Sequence, residues 1–201
     1  RRMQHHFKKI FAYLLSFLSP LFFCCLIACS NRHESFPSPA EYNLNRPSTI
    51  KLPAYLDEIS GIAYYPKDKS VFAIRDKKSW LYKIFLAGGL EIQKWKIGDK
   101  ADYEDIALVD STFYVLQSKG NIRSLHFVTP DSITIHEYKS DIKGKNEFEI
   151  LYFDKQQNRL VMLCKDCEAD DKNSVSAWVF DLSSMNFSTS PAFVIDVRKI
   201  E

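Results

Sequence analysis

The chain has 201 residues and a formal net charge of +2, from 27 basic and 25 acidic side chains. Four of the bases and none of the acids lie in the first 28 residues, so the remainder carries 23 bases against 25 acids, a net of −2. The sequence pI near 8.2 therefore belongs largely to that leader, and no lysine-rich patch remains to suggest nucleic acid as a partner.

Arg1, Arg2, Lys8 and Lys9 form a basic n-region, and residues 10–28 are almost wholly apolar. Leu26-Ile27-Ala28-Cys29 follows, and it resembles the lipobox of bacterial lipoproteins, in which cleavage before the cysteine exposes a thiol for diacylation. An uncleaved transmembrane anchor is the alternative, because the apolar run is nearly long enough to span a bilayer. Pro20 and the small residue before Cys29 favour cleavage, and either reading tethers the chain to a membrane. The predicted division is a signal peptide over 1–28, a lipidated Cys29 with a polar, proline-bearing stalk over 29–50, and a folded part over 51–201. Ser30 is not the aspartate typical of inner-membrane retention, which points to the outer membrane of a bacterial cell envelope.

The folded part opens with a short acidic phrase that recurs. Glu58-Ile59-Ser60-Gly61-Ile62-Ala63 is followed by Asp102-Tyr103-Glu104-Asp105-Ile106-Ala107 and by Glu147-Phe148-Glu149-Ile150-Leu151-Tyr152, at steps of 44 and 45 residues. After each phrase comes a polar turn, then a β-rich run: Val71–Ile74, Phe113–Leu116 and Leu160–Leu163. A third run follows (Trp80–Ile84, Ile122–Leu125, Val175–Phe180) and then a fourth (Ile92–Ile97, Ile133–Tyr138, Phe193–Val197). Four short strands per unit, repeated at this period, predict an all-β protein, a β-propeller of four-stranded antiparallel blades. About three blades are present, over 51–98, 99–139 and 140–201. Three blades do not close a ring, so the sequence reads as a fragment of a larger propeller.

The first phrase with Phe72-Ala73-Ile74-Arg75-Asp76, the second phrase, and the third with Leu163-Cys164-Lys165-Asp166 resemble the successive blades of the SdiA-regulated family of bacterial propeller proteins. The resemblance covers roughly residues 50–200 and implies a propeller similar in plan to NHL-type and calcium-dependent phytase-like ones; it implies no defined reaction. Two positions depart from the family pattern: Asp105 and Ile150 stand where glycine is usual.

Residues two apart on a strand share a face. Glu58 with Ser60, Asp102 with Glu104, and Glu147 with Glu149 are therefore expected together at one mouth of the propeller channel, where Ca²⁺ would relieve the repulsion between carboxylates. Asp76 follows the second strand of the first blade and joins this set of candidate ligand or metal residues. Two other readings stand beside it. The acids accept backbone N–H bonds that fix one blade to the next, or they form a solvated rim. Arg75 and Asp76, with Lys165 and Asp166, admit a rival in which a bridging metal supports hydrolysis of a phosphate ester. No catalytic nucleophile motif appears, so no catalytic residue is assigned. Cys164 and Cys167 lack the partners for a structural zinc site and are expected as a local disulfide or as free thiols. The functional expectation is a tethered envelope propeller binding an unknown ligand or protein; a purely structural module is the remaining alternative.

Overall fold

Runs rich in Val, Ile, Phe and Tyr, separated by short polar turns, become thirteen strands in the computed structural model, which describes residues 37–200. The leader over 1–28 and Cys29 lie outside the described residues. No described helix is long and apolar enough to cross a membrane. Residues 37–49 form an exposed segment of their own, held locally by turns such as Leu44 N–H donating to Ser38 Oγ at 2.9 Å.

The folded unit begins at Ile50. Its first sheet holds β1 (Ile59–Tyr65), β2 (Ser70–Arg75), β3 (Lys78–Phe85) and β4 (Ile92–Lys96) in that spatial order. The second holds β5 (Tyr103–Val109), β6 (Thr112–Gln117), β7 (Ile122–Thr129) and β8 (Ser132–Tyr138) in the same order. The third places β9 (Asn146–Asp154), β10 (Arg159–Cys167) and β11 (Ser174–Asp181) side by side. All pairings are antiparallel. The described residues are thus all-β, forming three propeller blades, as the repeat predicts.

One element differs from expectation. The outer strand of the third blade, expected over Phe193–Val197, is divided between β12 (Asn186–Phe187) and β13 (Phe193–Asp196), both paired to β11. Pro191 sits between them and has no N–H for the ladder, so the chain leaves the sheet and rejoins it. Val197 instead starts a 3-10 turn, with Asp196 accepting from Arg198 N–H.

Each blade's first turn reaches its second strand through a residue with left-handed backbone: Lys69, Asp110 and Asn158, at φ of 57°, 54° and 47°. The second strands are covered on both faces, which explains their unbroken apolar runs. The first core cluster lies between blades one and two, around Phe72, Leu81, Ile106, Phe113 and Leu125. The second lies between blades two and three, around Leu116, Phe148, Leu160, Met162 and Phe180. The first strands lie in sequence, β1 against β5 and β5 against β9. That places the three acidic phrases at the same end of three neighbouring strands.

Candidate functional site

Each blade supplies this end of the fold twice, from the opening of its first strand and from the end of its second. Asp102 immediately precedes β5 and Glu104 lies in it, and Glu147 and Glu149 belong to β9. Asp76 follows β2, Ser118 follows β6, and Lys165 lies near the end of β10. With Lys77, these eight residues line one cleft of ≈ 260 Å³ with an almost wholly polar wall.

Five carboxylates meet two ammonium groups there. Lys77 pairs with Asp76 at 3.1 Å, and Lys165 pairs with Glu149. The carboxyls of Asp76 and Asp102 lie close enough for a shared hydrogen bond to link their titration. That bond holds Asp76 below the usual range and pushes Asp102 above it; the burial and the charge of Asp76 raise Asp102 further. Burial lifts Glu104 as well, followed by the charge of Asp102, while a hydrogen bond with Ser118 partly offsets the rise. Asp76 Oδ1 is buried without a hydrogen-bond partner. The cleft is therefore short of positive charge and of donors, the deficit that a hard cation with six to eight oxygen ligands corrects.

Two expected members stand elsewhere. Glu58 does not line the cleft. It has left-handed backbone (φ 64°), its side chain is 80% exposed, and it faces Arg75 at 3.7 Å. The second repeat has the same strand start and the same bulge, so the left-handed backbone at Glu58 is what turns its side chain out of the shared face. Ser60 is also absent from the lining; its Oγ is buried without a hydrogen-bond partner. Lys77 and Ser118 are the members that sequence reasoning missed. A signal for Ser118 was present, because it occupies in the second repeat the place that Asp76 holds in the first.

The expected role of fixing one blade to the next belongs to an acid outside the candidate set. Asp105 accepts from Ile106 N–H through Oδ1 and from Leu151 N–H through Oδ2, both at 2.8 Å, and so ties β5 to β9. Cys164 and Cys167 form a disulfide with Cα atoms 6.0 Å apart. It lies within β10 rather than in a loop, and it spans the register shift that presents Lys165.

The model of the SdiA-regulated family matches residues 40–169, most of the chain and every residue of the cleft. The chain belongs to the SdiA-regulated family. Comparison with curated proteins finds no match. The match runs through all three acidic phrases, so in this SdiA-regulated protein the cleft is built from the segment that defines the membership.

Proposed function

We propose that this protein is a membrane-tethered propeller of the bacterial cell envelope that binds a ligand or partner protein through Ca²⁺ held in the acidic cleft. The observation that carries the reading is the convergence of Asp76, Asp102, Glu104, Glu147 and Glu149 from three blades in one cleft. A cation among clustered carboxylates is favourable because it competes with protons for them and removes like-charge repulsion. The tether rests on Leu26-Ile27-Ala28-Cys29 and the basic, apolar leader before it. Lipidation of Cys29, with the polar stalk as spacer, would hold the blades away from the bilayer, on the outer membrane by the identity of Ser30.

Titration of Ca²⁺ into the full chain by calorimetry tests the cation half. Saturable binding at pH 7, weakened at least about tenfold in Glu104→Gln, is expected. Heat-silent titration at millimolar Ca²⁺ would remove the metal from the account. For the tether, Cys29→Ser should abolish the diacyl mass increment and release the protein from membranes.

A second reading has one observation in its favour. Lys77 and Lys165 stand at the edge of the same cleft, where an anionic phosphate bridged by metal would meet them. Ca²⁺-dependent release of phosphate from an ester, lost in Glu104→Gln, is the result that would select hydrolysis over binding.

A further inference from the structure

A second cleft, of ≈ 500 Å³, lies at the opposite end of the strands, between the first and second blades. That volume suits a bicyclic organic molecule. Its walls are rings drawn from both sheets: Tyr65, Phe72 and Trp95 from the first, Phe113 and Phe127 from the second. They form one connected aromatic cluster, with centroids 4.2 Å apart for Phe72 and Phe113 and 4.9 Å for Trp95 and Phe127. Phe72 and Phe113 are buried, and the other three are half-buried. The Trp95 ring is fixed by Nε1–H donating to Pro130 O at 3.1 Å. Pinned rings lose little entropy when a ligand stacks on them.

Charge decides what the cleft takes. An open aromatic box attracts cations. Here a cation is already inside: Lys83 Nζ lies 5.5 Å from the centroids of both Tyr65 and Phe72, with its charge answered by Asp68. Asp68 lines the cleft too, so it and Lys83 offset each other there. Lys67 stands exposed at the lining, 5.9 Å from the Tyr65 ring, with no carboxylate paired to it among the described residues. The remaining polar groups at the mouth, Ser111 and His126 among them, do not cancel that charge.

We propose that this inter-blade cleft binds a small organic anion with a flat aromatic body and a single carboxylate-type head, the body against Trp95 and Phe127 and the head toward Lys67. The site is independent of the acidic cleft and of any cation there.

The test uses 2-naphthoate as probe, with its binding to the full chain followed by ligand-detected NMR, and the neutral 2-naphthylmethanol as comparison. Saturable naphthoate binding is expected, with the alcohol about fivefold weaker, the value of one exposed charge contact. Lys67→Ala, a surface change that leaves the core intact, should weaken naphthoate by about the same factor. Ser111→Trp, which fills the mouth from an exposed turn, should abolish binding, whereas Glu104→Gln at the other end should leave it unchanged. Three results would overturn the proposal: no saturable binding up to about 10 mM, equal affinity for acid and alcohol, or wild-type affinity in both Lys67→Ala and Ser111→Trp. Any of these would return the rings to inter-blade packing alone.

Discussion

Asp105 shows how one residue position serves three repeats differently. Gly61, Asp105 and Ile150 occupy the same place in the three acidic phrases. At Gly61 there is no room for a side chain: a Cβ would lie 2.7 Å from Asp105 Cα and 2.8 Å from both Asp105 Oδ1 and Ile106 N. Two of those neighbours are main chain and cannot swing aside. Gly61→Ala should therefore lower stability by about 1–3 kcal/mol in urea unfolding. Asp105→Ala should cost a similar amount, because it strips the partners from two main-chain N–H groups, one of them at buried Leu151. Wild-type stability in either variant would mean that the blades do not depend on this contact. The departure from glycine at Asp105 was visible in the sequence. Its bond to a residue 46 positions on was not, because periodicity reports which face a side chain takes but not which distant N–H it meets.

The strands were the most legible elements, since each second strand is an apolar run bounded by turn residues and is covered on both sides. The least legible was the outer edge of the third blade, where Pro191 divides one expected strand into two. At the acidic end, the first-strand openings of the second and third blades come together in one cleft. That of the first does not join them, because the backbone at Glu58 turns left-handed. The pH behaviour of this end follows from the directions of its shifts. Glu104 has its carboxyl raised above the unfolded value, mainly by burial. The folded state therefore holds that proton more tightly than the unfolded chain does. The group favours folding at low pH, and this contribution is lost as pH rises through the raised folded value. Asp102 acts in the same direction, whereas Asp76, with its carboxyl lowered, acts in the opposite one. Without Ca²⁺, Glu104→Gln should accordingly be more stable than wild type at pH 7, by about 0.5 kcal/mol after screening, with the difference vanishing near pH 4. With saturating Ca²⁺ the order should reverse at pH 7, because only the wild type gains from the cation. Thermal unfolding at the two pH values, with and without Ca²⁺, reads both effects; an unchanged order on adding Ca²⁺ would contradict the site.

On the scale of the whole molecule, three blades stack through two aromatic-rich cores and send two kinds of chemistry to opposite ends. The number of blades was legible because the acidic phrase recurs at an almost constant step, and stacked units of one length need matching first strands. The aromatic cleft was not, because its rings come from five strands of two sheets whose adjacency arises only on stacking. The flanking first strands also present Ile62, Tyr64, Ile150 and Tyr152 as exposed residues, alternating with buried neighbours. The central claim is that the acidic end holds a divalent cation. Anomalous diffraction from crystals soaked in Mn²⁺, an oxygen-seeking stand-in for Ca²⁺, tests it directly. The account predicts one strong peak within about 2.6 Å of carboxylate oxygens from Asp102 and Glu104 and from at least one acid of β9. A cleft without a peak would contradict it.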